Sequence, residues 1–133
     1  MQPSALAEAR DWLARADEDL AAAARLIQTP PPLLGTASYH AQQAAEKALK
    51  AFLAAHDTAF RPTHNLEELL PLCVAIDASL GQFAMAARTL TPYAVRFRYP
   101  GGPLAPTQAD AEQALQLAAD LVGFAHVHLD ADH

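Results

Sequence analysis

A chain of 133 residues suits one domain, read here over residues 1–133, and at 52% hydrophobic and 18% charged it can bury a proper core. Those proportions exclude a disordered chain, and no apolar run reaches the roughly 18 residues a membrane helix needs. The net charge of −6 disfavours nonspecific tracking along a nucleic-acid backbone.

In chain order, Leu6, Ala9, Leu13, Ala16, Leu20, Ala23 and Ile27 step by three and four residues. That spacing predicts a first helix with one buried stripe, N-capped by Ser4 and stopped by Pro30, Pro31 and Pro32. A second helix is predicted from Gly35 and Thr36 to about His56. It carries Tyr39, Gln42, Gln43, Glu46 and Lys50 within roughly a third of its circumference and alanines opposite. A solvated face usually carries Lys and Glu in excess, whereas Tyr39, Gln42 and Gln43 are uncharged with hydrogen-bonding reach. The stripe is therefore a candidate interface, with Glu46 and Lys50 also spaced for a helix ion pair; an ordinary solvated face is the alternative.

After the stretch DTAFRPT, read as a loop, Leu66, Leu69 and Leu70 begin a short helix that Pro71 should kink or stop. Ser79 and Gln82 have capping-box spacing for a fourth helix with Phe83, Ala86, Ala87 and Leu90 on its apolar side. The segment RYPGGPLAP is a loop. Thr107 and Asp110 then cap a long final helix through Ala111, Leu115, Ala118, Val122, Ala125 and Leu129. No stretch alternates like a strand. The expectation is an all-α protein, an antiparallel up-and-down helical bundle with a four-helix-bundle-like core. Alanine-rich helices bury little area each, so a homodimer is expected as well.

Charge is uneven. No acid lies between Asp77 and Asp110, where Arg88, Arg96 and Arg98 stand. In PYAVRFRYPGG, Arg96 and Arg98 alternate with Tyr93, Phe97 and Tyr99: guanidinium groups bind phosphates and aromatic rings stack on bases. These five are candidate nucleotide or RNA contacts, with Lys47 and His40 reaching in from the edge of the second helix. The alternative is structural: rings that fill the bundle end and arginines that cap carbonyls. No phosphate-cradling glycine loop, CxxC, HExxH or nucleophile elbow occurs. His126 and Asp130, four apart, make too small a set for a metal site, so no metal and no cofactor is expected. Cys73, the single cysteine, is read as a small buried apolar residue and agrees with a reducing cytoplasm. The start MQPSALAEARDW lacks the order of a signal peptide.

The blocks SYHAQQAAEKALKAFLAAH, THNLEELL and RYP, in that order before a final helix, resemble the HEPN family of small prokaryotic helical domains, from about Trp12 to Leu129. The resemblance implies about five helices, dimerisation, a minimal nucleotidyltransferase as partner in a toxin–antitoxin-like pair, and a role with nucleotides or RNA. Ribonuclease members carry an arginine followed four to six residues later by histidine. No arginine here has that spacing; Arg61 and His64 are three apart across Pro62. No catalytic residue is therefore carried over, and a binding subunit is the leading expectation. A metal-independent ribonuclease toxin built from Arg96, Arg98, Tyr99 and His64, or a purely structural interaction module, are the alternatives.

Overall fold

The structure, a computed structural model, describes residues 3–96 and 105–131. Five α-helices form: α1 (Pro3–Gln28), α2 (Leu34–Ala55), α3 (Leu66–Ile76), α4 (Ala84–Leu90) and α5 (Gln108–Ala131). Two 3₁₀ turns, Ala78–Phe83 and Thr91–Ala94, flank α4. No strand occurs among the described residues, and no described helix is long and apolar enough to cross a membrane.

α2 is the axis of the bundle. α1, α3, α5 and the 91–94 turn all pack on it, and it is buried on nearly every side, from Ala37 through Ala55. Ala41, Ala44, Ala45 and Ala48 of α2 are fully buried, as are Ala9, Ala16 and Ala23 of α1, which packs on it. Small side chains on both helices let the backbones approach closely, at the cost of few methylenes per contact. Larger groups fill the rest of the core: Leu49, Phe52 and Leu53 of α2, Leu66 and Leu69 of α3, and Leu121 and Leu129 of α5.

The path of the chain follows from its contacts. α1 runs antiparallel to α2, since Trp12 meets Lys50 while Asp19 meets His40 and Lys47. α2 ends in a Schellman arrangement: the N–H of Thr58 donates to the Leu53 carbonyl at 2.9 Å and that of Asp57 to Ala54 at 3.1 Å. Asp57 has the positive φ of 51° which that motif requires. The chain then doubles back along α2. Phe60 lies by Lys50, and His64 by Glu46. The stretch read as a loop thus serves as a return leg, which keeps the up-and-down alternation before α3. The Leu66 N–H donates to Thr91 Oγ1 at 3.1 Å, which ties the start of α3 to the turn after α4.

Sequence signals at the helix ends held unevenly. Thr107 and Asp110 form the reciprocal box: the Asp110 N–H donates to Thr107 Oγ1 and the Thr107 N–H to Asp110 Oδ2, both at 3.0 Å. α1 begins at Pro3, so Ser4 is inside its first turn and not its cap. Pro71 does not stop α3, which runs on to Ile76. Both Pro71 and Glu67, the residue four before it, are exposed, so the carbonyl left without its amide partner can take water. Asp77, not Ser79, caps the next turn, accepting from Ser79 N at 3.0 Å and Oγ at 2.6 Å. Gln82 still reaches Ser79, donating to its carbonyl at 2.9 Å.

Candidate functional site: the polar seam of α2 and the turn at Arg96

A helix buried all round has to satisfy any polar group it carries. The stripe expected as an outward-facing interface is inside the chain: Gln42, Glu46 and Lys50 are 0%, 3% and 7% exposed, and Gln43 is buried beside them. Periodicity correctly put these residues on one face. It did not reveal that the return leg 57–65 and the side of α1 at Trp12 cover that face. Only Tyr39 stays half-buried, its ring edge-on to His40.

The seam is satisfied throughout, and no buried side-chain nitrogen or oxygen among the described residues lacks a partner. Glu46 is its hub. Lys50 Nζ donates to Oε2 at 2.9 Å, while Oε1 lies 2.7 Å from His64 Nδ1 and takes longer contacts from Gln42 and Gln43 at 3.4 and 3.3 Å. Gln43 Nε2 donates to Gln42 Oε1 at 2.7 Å, and Gln42 Nε2 to the His64 carbonyl at 2.8 Å. The ammonium of Lys50 lies 5.4 Å from the Trp12 ring centre and 5.8 Å from that of Phe60, within cation–π range. His64 is held at ring and backbone, yet its side chain is 66% exposed.

Lys47 and His40 do not extend the arginine cluster. Lys47 Nζ donates to Asp19 Oδ2 at 2.6 Å and His40 Nδ1 lies 2.8 Å from Asp19 Oδ1, so both are committed to a nearly buried carboxylate of α1. An acid in phase with the apolar residues Ala9, Leu13, Ala16 and Ala23, opposite His40 and Lys47 seven apart, was the sequence signal for this second cluster. His126 likewise pairs with Asp17, at 2.8 Å. His56 and His128 bring their Nε2 atoms to 2.8 Å between the rings of Phe52 and Phe124. No group of three His, Cys, Asp or Glu among the described residues could hold a metal.

Phe97, Arg98 and Tyr99 lie outside the described residues. Arg96 is exposed at the end of the Thr91–Ala94 turn, and Tyr93 is half-buried against the core. The segment is acid-free in sequence but not in space. Burial and the charge of Asp110 push the Tyr93 hydroxyl above its usual range, and Arg96 opposes them. Asp110 is itself engaged by the Thr107 N–H.

Cys73 is buried, with Sγ 3.8 Å from the Leu49 carbonyl. Burial pushes its thiol up to about 12, so the nucleophilic thiolate is suppressed at any physiological pH. A thiol reagent at pH 8, roughly where an unperturbed cysteine begins to ionise, is expected to leave the native protein unlabelled and to label it fully in denaturant. Fast labelling of the native state would contradict the burial.

An all-helical domain wound about a central helix with a polar seam is the class that the geometry defines. The sequence profile of the HEPN domain matches residues 9–128, and the chain belongs to the HEPN domain family. It is similar to TT1696, a protein of Thermus thermophilus known from a crystal structure. The two are 32% identical with a TM-score of 0.76, over 90% of this chain and 96% of that one. No curated protein matches the sequence.

Proposed function

We propose that this chain is a HEPN-domain binding subunit that takes a nucleotide or RNA phosphate at the turn carrying Arg96, as the partner of a minimal nucleotidyltransferase in a cytoplasmic toxin–antitoxin-like pair. The observation that carries the ligand is local: an exposed arginine stands beside a half-buried tyrosine on a turn that is hydrogen-bonded to the start of α3. A guanidinium supplies charge-assisted donors to a phosphate, and the face of an aromatic ring is a surface on which a base can stack. The partner rests on family membership and on the resemblance in sequence. A charge-assisted contact contributes about 1.5 to 3 kcal/mol, so Arg96→Ala is expected to weaken nucleotide or short-RNA binding at least about tenfold in calorimetric titrations at low salt. No binding by the wild type would replace this reading with that of a structural interaction module.

Self-association is part of the same proposal, although not through the stripe. Leu72, Ile76, Met85 and Val127 are large apolar residues left exposed on α3, α4 and α5. Met85 and Val127, with Phe83 and Phe124, border an open groove of about 510 Å³, and contiguous apolar surface of this kind marks contact sites. Sedimentation at tens of micromolar, roughly the range of weak association, is expected to show a dimer; a 14.2 kDa species alone would count against it.

A further inference from the structure

We infer that His64 is a second contact to the bound phosphate and that it makes ligand affinity depend on pH. This rests on the reading of the Arg96 turn as a phosphate site. An exposed histidine on a return leg would ordinarily sample several rotamers, and its ring would select no ligand. Here one imidazole receives an unusual amount of fixed structure. Glu46, 3% exposed, holds Nδ1 at 2.7 Å. Lys50 fixes the other oxygen of Glu46, and Gln42 fixes the His64 carbonyl. The ring stays 66% exposed, and Nε2 makes no hydrogen bond among the described residues. Two residues further on, Leu66 donates to Thr91, the first residue of the turn that leads to Tyr93 and Arg96. The same hydrogen bond therefore joins the segment that carries His64 to the turn that carries Arg96.

The tautomer follows from the carboxylate. Glu46 accepts from Nδ1–H, so a neutral ring must turn the lone pair of Nε2 outward. A lone pair repels a phosphate oxygen. Once the ring takes a second proton, Nε2–H becomes a charge-assisted donor aimed at solvent, and phosphate binding is coupled to the uptake of one proton. The surrounding charges do not cancel this. Glu46 is paired with Lys50, and Glu68 is held by Arg61 through two bonds at 2.8 and 2.6 Å. Glu67 is exposed in the first turn of α3 and opposes an anion. From the turn side come Arg96 and, acting on Tyr93, Asp110. A structural role is the competing explanation, in which the ring merely lids the Glu46–Lys50 pair. That role predicts loss of stability without any pH-linked affinity.

The test is a titration with a short oligouridylate lacking terminal phosphates, because its phosphodiesters keep a constant charge over the range in which imidazoles gain a proton. Wild-type protein is expected to bind at least about tenfold more tightly near pH 5.5 than near pH 8, as one charge-assisted hydrogen bond implies. His64→Gln should bind equally at both pH values, at the weaker wild-type level. Arg96→Ala should weaken binding at both and keep the pH slope. Flat wild-type affinity with a clear Arg96→Ala loss would remove His64 from the site and leave the phosphate reading standing. No wild-type binding at either pH would overturn both. A flat wild-type pH profile overturns the inference even if His64→Gln does not fold.

Discussion

Lys50→Met is expected to lower the free energy of unfolding by about 3 to 5 kcal/mol, the cost of breaking a buried ion pair by removing one partner. Against a total stability of about 5 to 15 kcal/mol for a domain of ordinary stability, that is a large share. The size follows from burial. Lys50 and Glu46 are almost wholly withdrawn from water and bonded at 2.9 Å. Methionine fills a similar volume and keeps a polarisable contact with Trp12 and Phe60, so packing changes little and the cost is mainly that of a carboxylate left without its cation. Adding Glu46→Gln should recover most of the loss, because replacing both charges removes the uncompensated one. Urea unfolding of the two single variants and the double variant measures this. A Lys50→Met cost below about 1 kcal/mol, the range of solvent-exposed pairs, would mean that water reaches the seam.

The second large effect is expected at Phe52→Ala, with a loss of about 3 to 5 kcal/mol and a fall in melting temperature of roughly 10 °C or more. Phe52 is 1% exposed, and its ring lies 4.7 Å from that of His56 and 4.6 Å from that of His128. It joins the C-terminal end of α2 to that of α5. In an alanine-rich bundle few side chains of this size are present to relax into the space, so the cavity should persist. Calorimetry showing a shift of only a degree or two would indicate that α2 and α5 do not depend on this ring.

How much of this was legible in the sequence depends on the kind of signal. Stops and caps carry their own chemistry. Three consecutive prolines end α1, and Thr107 with Asp110 starts α5, because those side chains act on backbone groups within a few residues. The all-helical bundle followed from three-and-four spacing in α1 and α5. The environment of α2 did not follow. A helical wheel shows which residues share a face but not what that face meets, and for a central helix both faces are inside. Gln42, Gln43, Glu46 and Lys50 look like surface by composition; they are tolerated inside because each finds a partner across 18 to 22 residues or within one turn. His64 was weaker still as a signal. It lies in a nonperiodic stretch, and only folding that stretch back along α2 brings it to Glu46.

The arginine segment shows the opposite limit. Its lack of acids in sequence was real, yet α5 begins close enough for Asp110 to act on Tyr93. Local charge counts miss a helix that arrives from elsewhere in the chain. The same holds for Lys47 and His40, whose charges look available from the sequence until α1 supplies Asp19.

If a phosphate-bearing ligand docks where the Thr91–Ala94 turn meets the start of α3, a nucleotide titration followed by two-dimensional NMR of the amides and histidine rings should show it. Shifts in the wild-type protein are expected to concentrate at Tyr93, Arg96 and His64, with the groove at Phe83 and Phe124 unchanged. A spectrum that does not move, or one that moves at that groove and not at the Arg96 turn, would contradict the docking.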